Sequence, residues 1–174
     1  MTALRGFLFL NMEYKEFLET KHKSHIYSGF DVKDEMLNTK LFPFQKFIVK
    51  RAIKAGKYAI FADCGLGKTF MQLEWSRLVR EETNKPVLIL APLAVVEQTI
   101  QEAHKWGIDI SNVHVNNYEQ LDNIDCSLYS GICLDESSIL KNFEGETKKK
   151  ILDSFKDTPY KLACTATPLS LIHI

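Results

Sequence analysis

The sequence has no excess of charge of either sign, because its 174 residues contain 22 Lys plus Arg and 22 Asp plus Glu. A protein that binds nucleic acid through bulk charge alone is usually basic. The balance therefore argues against an autonomous DNA-binding domain of that kind. Any contact with nucleic acid would need a local strip of hydrogen-bond donors or a further part of the protein.

Paired cysteines and long apolar runs are also lacking. The four cysteines form no C-x-x-C pair, and no histidine lies near them at the spacing of zinc ligands. We therefore predict reduced thiols, no structural metal and a cytoplasmic location. No apolar run is long enough to span a bilayer. Residues 4–10 are apolar but lack the cleavage site of a signal peptide, so we expect no membrane contact.

From residue 43 onward, compact apolar runs alternate with helical patterns. The runs predict strands at 58–62, 87–91, 113–115, 131–134 and 160–164, with helices in most of the intervals between them. This alternation is typical of an α/β fold with a mostly parallel sheet and helices on both faces. Polar clusters at 62–69, 135–138 and 165–168 each follow a strand. Because the carboxyl ends of parallel strands share one edge, we expect these clusters to converge.

The first polar cluster, residues 62–69, fits the phosphate-loop pattern G-x-x-x-x-G-K-[ST], with Ala62 at the first position. Glycines at 65 and 67 allow backbone N–H groups to turn around phosphate oxygens. The helix that follows directs its positive end toward the same anion. We predict that ATP is held by Asp63, Cys64, Gly65, Leu66, Gly67, Lys68 and Thr69. The alternative is an ordinary Gly-rich turn that matches the pattern by chance.

Within this loop, Lys68 is predicted to contact the β- and γ-phosphates and Thr69 to bind Mg²⁺. The second cluster begins with Asp135 and Glu136 directly after a strand. A carboxylate at that position can hold Mg²⁺, and the adjacent Glu can then deprotonate the attacking water. We therefore predict Lys68, Asp135 and Glu136 as the catalytic residues. The alternative is that the acidic pair only caps the next helix.

Together, the segments ADCGLGKT, LILAPLAVVEQT, DESS and CTATP resemble motifs I, Ia, II and III of superfamily-two helicases. The resemblance is strongest to the Swi/Snf-type and DEAD/DEAH-like ATPases, particularly the short helicases of phage and prophage genomes, and covers residues 42–168. It implies a RecA-like domain that uses ATP and Mg²⁺ to move along or open nucleic acid, with DNA favoured. For a phage protein it also implies the cytoplasm of a bacterial host.

The resemblance also assigns individual residues. Gln45 resembles the adenine-reading glutamine that precedes motif I. Segments similar to the nucleic-acid-contacting and coupling motifs contain Pro92, Gln98, Asn117, Tyr118, Ser138, Thr165 and Thr167. For Gln45 and for the motif Ia and Asn117-Tyr118 segments, an ordinary helix or packing role stays an alternative. The Ser-Ser that follows the acidic pair departs from the family's Ala-Asp/His and leaves the coupling to motif III open.

We expect three parts in the chain. Residues 1–40 would be an extension with a short helix, and residues 41–168 the ATP-binding domain that the resemblance covers. Residues 169–174 do not continue the sheet pattern, so we expect a non-native tail, with a genuine short C-terminus as the alternative. The native protein would then continue past residue 168, after motif III, into a second RecA-like domain. Two alternatives stay open for the function. One is a translocase or packaging ATPase that does not separate strands, and the other is a nucleotide-binding fragment with little turnover.

Overall fold

The computed structural model describes residues 27–141 and 145–166. Regular elements alternate along the chain as α1 (Pro43–Ala55), β1 (Lys57–Phe61), α2 (Lys68–Thr83), β2 (Val87–Ala91), α3 (Leu93–Trp106), β3 (Val113–Asn117), β4 (Gly131–Leu134), α4 (Gly145–Ser154) and β5 (Tyr160–Thr165). Short 3-10 turns lie at Asp34–Met36, Tyr118–Asn123, Cys126–Leu128 and Ser137–Lys141. The helix expected near the N-terminus, Thr167 and the expected tail lie outside the described residues.

The five strands form one sheet in the order β1-β5-β4-β2-β3, and each pair of neighbours is parallel. The predicted α/β fold with a parallel sheet is confirmed, and all the pairings in the described residues are parallel. Because the strands all run in the same direction, their carboxyl ends meet at one edge of the sheet. β5 and β4 lie between β1 and β2, so α2 crosses them on its way from β1 to β2.

Helices cover both faces of the sheet. Side chains of β2 alternate, with Val87 and Ile89 in the core beneath α1, α2 and α3. Leu88 and Leu90 point to the opposite face, where Ile151 of α4 packs with them. Every residue of β2 is buried, as expected for an interior strand of a parallel sheet. Within residues 27–141 and 145–166, no helix is long and apolar enough to cross a bilayer.

Proline and glycine residues mark the ends of α1 and α3. α1 begins at Pro43, where a missing N–H costs nothing, and the side chain of Gln45 accepts a hydrogen bond from Phe42 N at 3.0 Å. Gly56 ends α1 with a φ of 75°. Gly107 ends α3 in the left-handed region with a φ of 67°. The two glycines turn the chain from α1 into β1 and from α3 toward β3, at the amino ends of these strands.

The segment before residue 41 packs against the same core as the domain. Val32 and Leu37 are buried with the side chains of α1 and α2. Asn38 N donates to the buried carboxylate of Glu74 at 2.7 Å, and Arg77 Nη2 donates to Met36 O at 2.6 Å. Residues 36 and 38 are thus hydrogen-bonded to α2, and the boundary at residue 41 stays a prediction.

Candidate nucleotide site

The residues that follow β1, β4 and β5 lie at the same edge of the sheet. β5 is the neighbour of both β1 and β4, and Ala62 N donates to Thr165 O at 3.2 Å. Asp135 N donates to Leu90 O at 2.8 Å, which extends the pairing of β4 with β2 by one residue. The structure thus brings the phosphate-loop sequence, the acidic pair and the start of the CTATP segment together.

Two glycines give the loop after β1 its shape. Gly65 and Gly67 have φ values of 81° and 75°, in the left-handed region that favours glycine. A Cβ at Gly67 would lie 2.4 Å from Gln45 Nε2, whereas a Cβ at Gly65 would meet nothing within 4 Å. Gly67 is therefore needed for close approach as well as for its backbone angle, and Gly65 for its backbone angle alone.

Gln45 braces this loop from α1. Its side chain is 4% exposed, its Nε2 donates to Leu66 O at 3.0 Å, and its Oε1 accepts from Phe42 N at 3.0 Å. The sequence predicts Gln45 as an adenine reader, but here the donor and acceptor ends of the amide both bind the protein itself. The amide keeps a second N–H and a second acceptor lone pair, so its role as an adenine reader stays a prediction.

The start of α2 presents donors to the hollow of the loop. The N-cap residue, Gly67, provides no side-chain cap, so first-turn N–H groups of the helix stay available. Lys68 Nζ donates to Ala62 O at 2.9 Å and to Asp63 O at 3.2 Å, which keeps the ammonium over the loop. Uncapped amides and a cation at a helix N-terminus are suited to an anion such as phosphate.

A cavity of about 600 Å³ opens beside the loop. It is lined by Lys40, Phe42, Gln45, Cys64, Gly65, Gly67, Lys68, Thr69, Phe70, Gln98, Glu102 and Trp106. Its volume lies within the range of roughly 300–1,000 Å³ typical of sites for small molecules and cofactors. The sequence predicts Gln98 as a contact to nucleic acid. The structure places the exposed Gln98 in the lining of this cavity, because α3 turns that face toward the start of α1, and the nucleic-acid contact stays a prediction.

A second cavity of similar volume, about 590 Å³, lies along the outer side of α1. Its basic residues include Lys50 and Lys54, which pair with Asp34 and Asp31 at 2.8 Å each. None of the strand-tip residues lines this cavity. Its cations are partly neutralised and it contains no phosphate loop, so the chemistry favours the cavity beside β1 as the nucleotide site.

Asp135 is held from three sides. Its Oδ1 accepts from Gln72 Nε2 at 2.7 Å and from Glu136 N at 3.0 Å, and its backbone O accepts from Tyr118 Oη at 2.7 Å. Burial raises the pKa of Asp135, and the negative charge of Glu136 acts in the same direction, while the Gln72 hydrogen bond and the charge of Lys68 act against them. The two bonds to the carboxylate end on Oδ1, so Oδ2 is the oxygen that can face a metal-bound water.

Glu136 adopts an unusual backbone conformation for a residue other than glycine, with a φ of 48°. Strain of this kind costs on the order of 1–3 kcal/mol and clusters at functional sites. Oε1 accepts from Thr165 Oγ1 at 2.7 Å and from Ser138 Oγ. Burial raises the pKa of Glu136, but the hydrogen bonds from Ser138 and Thr165 and the charge of Lys68 outweigh it, so the pKa falls below its usual 4.5.

Ser138 and Thr165 therefore meet on one carboxylate oxygen. The resemblance implies a hydrogen bond between Ser138 and the segment that begins at Thr165, and the structure joins the two through Glu136 Oε1. The Ser-Ser sequence departs from the family pattern, yet it supplies a hydroxyl that links the acidic pair to the end of β5. Any movement of β5 relative to β4 would be transmitted to the Glu136 carboxylate.

Asn117 and Tyr118 are buried at the end of β3, with 7% and 4% exposure. Asn117 Oδ1 accepts from Gln120 N at 2.9 Å and caps the following 3-10 turn. Burial raises the pKa of the Tyr118 hydroxyl. The same hydroxyl donates a hydrogen bond to the backbone O of Asp135. The sequence predicts both residues as contacts to a nucleic-acid backbone, and with most of their surface buried these contacts stay a prediction. Pro92 lies half-buried at the N-cap of α3, on the carboxyl edge.

Gln72 is a site residue that the sequence reasoning does not single out. It lies inside α2, one turn beyond the phosphate loop, and is fully buried against Asp135. Its only signal in the sequence is a polar residue on the apolar face of a helix. The role of Gln72 becomes visible only in the folded structure, where Asp135, 63 positions further along the chain, accepts its hydrogen bond.

Solved structures of similar shape are helicase and SWI2/SNF2 ATPase domains. T4 UvsW matches with a TM-score of 0.72 at 14% identity, over 92% of this chain and 41% of that chain. The Sulfolobus solfataricus SWI2/SNF2 ATPase core in complex with dsDNA matches with a TM-score of 0.62 at 19% identity, over 79% and 34%. The chain has the fold that these helicase and SWI2/SNF2 ATPase domains share. The predicted resemblance is thereby confirmed at the level of the fold.

Among curated proteins, the mouse (Mus musculus) DNA annealing helicase and endonuclease ZRANB3 is 31% identical to this chain over 94 residues. These residues are 53% of this chain and 9% of that protein. No protein-family model matches the sequence. The chain thus spans well under two thirds of each of these relatives, so their activities belong to larger proteins.

Proposed function

We propose that the chain is the ATP-binding domain of a nucleic-acid-dependent ATPase of the helicase type. One observation carries the proposal: the phosphate-loop sequence and the Asp135-Glu136 pair lie at one edge of the sheet, where the loop also lines a cavity of about 600 Å³. The charge of Lys68 also acts on both carboxylates. Cationic, acidic and amide groups therefore share this edge, as a site for ATP and its metal requires.

The chain's residues fit a nucleotide with Mg²⁺. Backbone amides around Gly65 and Gly67 would surround the terminal phosphates, and Lys68 would exchange its bonds to loop carbonyls for phosphate oxygens. Thr69 and Asp135 would hold Mg²⁺, Asp135 through metal-bound water. When bound, Mg²⁺ neutralises negative charge on the β- and γ-phosphate oxygens.

Glu136 is the proposed base for the attacking water. The carboxylate is ionised at neutral pH, as a proton acceptor must be, and the hydrogen bonds that lower its pKa also make it a weaker base. Ser138 and Thr165 occupy Oε1, so Oε2 is the oxygen that would accept the proton. The same two hydroxyls offer a route by which a change at the CTATP segment alters hydrolysis.

We further propose DNA as the nucleic acid and a second RecA-like domain, beyond residue 168, as the partner that completes the site. One relative is a DNA annealing helicase and endonuclease, and one of the similar solved structures is a complex with dsDNA. The net charge of zero suits a chain that supplies only part of a DNA-binding groove. Pro92 and Thr167, which lie in segments that resemble motifs Ia and III, would belong to that groove.

A translocase that moves on double-stranded DNA without separating the strands is the second candidate. The similarity to the SWI2/SNF2 ATPase core in complex with dsDNA favours it over a packaging ATPase. Both candidates use the same nucleotide chemistry. A strand-displacement assay on the protein with its second domain separates them, because only the helicase releases the displaced strand.

The nucleotide site is tested by titrating a fluorescent ATP analogue in Mg²⁺ into the wild type and Lys68→Ala. Loss of a charge-assisted contact of about 1.5–3 kcal/mol should weaken binding by roughly 10- to 100-fold. Lys50→Ala, which changes the cavity on the outer side of α1, is the matched control and should bind as the wild type does. Equal affinity in Lys68→Ala and the wild type would refute the site.

Turnover is tested separately by measuring phosphate release with and without DNA. We expect very slow release from the 174-residue chain in both conditions, since transition-state charge in related chemistry is stabilised by an arginine supplied from elsewhere. A longer protein with a second RecA-like domain should show release that DNA stimulates. Rapid DNA-independent release from the short chain would contradict the need for a partner domain.

A further inference from the structure

Gln72 is a buried amide in α2, a helix that also buries the polar side chains of Glu74 and Ser76. It is 0% exposed, and its neighbours Met71, Leu73 and Trp75 are fully buried as well. Polar side chains are rarely buried to this extent unless their hydrogen bonds are made. Gln72 donates one hydrogen bond to a side chain, from its Nε2 to Asp135 Oδ1 at 2.7 Å. The amide is therefore directed at the acid at the tip of β4.

The other end of the same amide has no partner. Gln72 Oε1 is buried and accepts no hydrogen bond within the described residues. An unsatisfied buried acceptor destabilises a fold, and an apolar side chain of similar volume would avoid that cost. Packing alone therefore does not explain why a glutamine occupies this position. The bond to Asp135 is the feature that a methionine or leucine would lack.

The geometry at Asp135 indicates what that bond does. Gln72 Nε2 and Glu136 N both donate to Oδ1, which fixes the rotation of the carboxylate. Gln72 also lies three residues after Thr69, so the two side chains share one face of the same helix. One rigid helix thus carries both the proposed metal-binding hydroxyl and the group that orients the acid opposite it.

We propose that Gln72 is a positioning residue, which orients Asp135 so that its Oδ2 faces the metal at the proposed nucleotide site. The inference rests on the proposed function, because it assigns a role toward the Mg²⁺ of that site. Gln72 itself touches neither the nucleotide nor the metal. Groups that orient a metal-binding side chain through a hydrogen bond typically change metal affinity by about 10- to 100-fold when they are removed.

The test compares Gln72→Met with the wild type in binding of a fluorescent ATP analogue at increasing Mg²⁺ concentration. Mn²⁺ followed by electron paramagnetic resonance gives a second measure of metal affinity that needs no turnover. We expect the metal concentration at half-saturation to rise about tenfold, while nucleotide binding in EDTA stays unchanged. The melting temperature should fall by no more than about 3 °C, because the variant also removes an unsatisfied acceptor.

Ser76→Ala is the matched control. Ser76 lies one turn further along α2, is 0% exposed, and its Oγ likewise has no partner within the described residues. It should keep the wild-type metal dependence. Gln72→Leu is the second apolar variant, in case methionine repacks the core, and should reproduce the result of Gln72→Met.

The outcomes separate this inference from the proposed function. Wild-type metal dependence in Gln72→Met or Gln72→Leu, with the nucleotide still bound, would overturn the role of Gln72 alone. A fall in melting temperature of more than about 10 °C in both variants would make Gln72 a structural residue and would also overturn it. Failure of the wild type to bind nucleotide with Mg²⁺ would instead refute the proposed function.

Discussion

Replacing Gly67 by Ala should destabilise the protein more than the same change at Gly65. Both residues have left-handed backbone angles, 75° and 81°, which cost an L-residue about 1–2 kcal/mol. The reduced freedom of the unfolded chain returns about 0.4–1 kcal/mol in each case. Only at Gly67 would the new Cβ lie 2.4 Å from Gln45 Nε2 and displace that side chain.

The displacement sets the expected difference between the two variants. Gln45 is 4% exposed and donates to Leu66 O at 3.0 Å, so moving it breaks a buried hydrogen bond. Leaving a buried donor unsatisfied costs about 1–3 kcal/mol. We therefore expect a loss of about 1 kcal/mol in the free energy of unfolding for Gly65→Ala and of about 2–4 kcal/mol for Gly67→Ala.

Urea denaturation without nucleotide measures both losses on the 174-residue chain. Adding Gln45→Ala to each variant completes a double-mutant cycle, in which only the Gly67→Ala cycle should show coupling. Equal losses for the two glycine variants would refute the reasoning. So would a coupling of zero between Gly67→Ala and Gln45→Ala.

Two further predictions concern the acidic groups of the domain. Thr165→Val removes a hydrogen bond that lowers the pKa of Glu136. The stability that this bond contributes is present above the usual carboxyl pKa of 4.5. It is lost as the pH falls through the lowered pKa of Glu136 in the folded protein. Unfolding curves should therefore show a larger loss at pH 7 than at pH 3, whereas Thr99→Val, which removes a bond to a helix carbonyl, should show the same loss at both. Arg77→Ala leaves the 0% exposed carboxylate of Glu74 without its cation and should cost about 3–5 kcal/mol in urea denaturation. A loss below about 1 kcal/mol would show that Glu74 is satisfied by its backbone donor alone.

The fold was predictable because its signals are local. Each buried strand is a short apolar run, and the loop after β1 needs glycines at fixed positions, so both appear in a few consecutive residues. β3 is longer than predicted, extending to Asn117, because backbone pairing with β2 includes two polar residues that an apolar pattern does not indicate.

The direction of individual side chains was less predictable. Gln98 lines the cavity because of how α3 rotates against α1, and Tyr118 is buried because the chain turns beneath Asp135. The contact of Gln72 with Asp135 joins positions 63 residues apart. Such pairs depend on strand order and helix rotation, which are properties of the whole fold and not of a sequence window.

The central claim is that one edge of the sheet holds the phosphates and metal of ATP between the loop after β1 and the acids after β4. A crystal structure of the chain with Mg²⁺ and a non-hydrolysable ATP analogue tests it most directly. The account predicts the γ-phosphate within hydrogen-bond distance of Lys68 Nζ, with the metal between Thr69 and Asp135. Phosphates bound instead among Lys46, Lys50 and Lys54, on the outer side of α1, would contradict it.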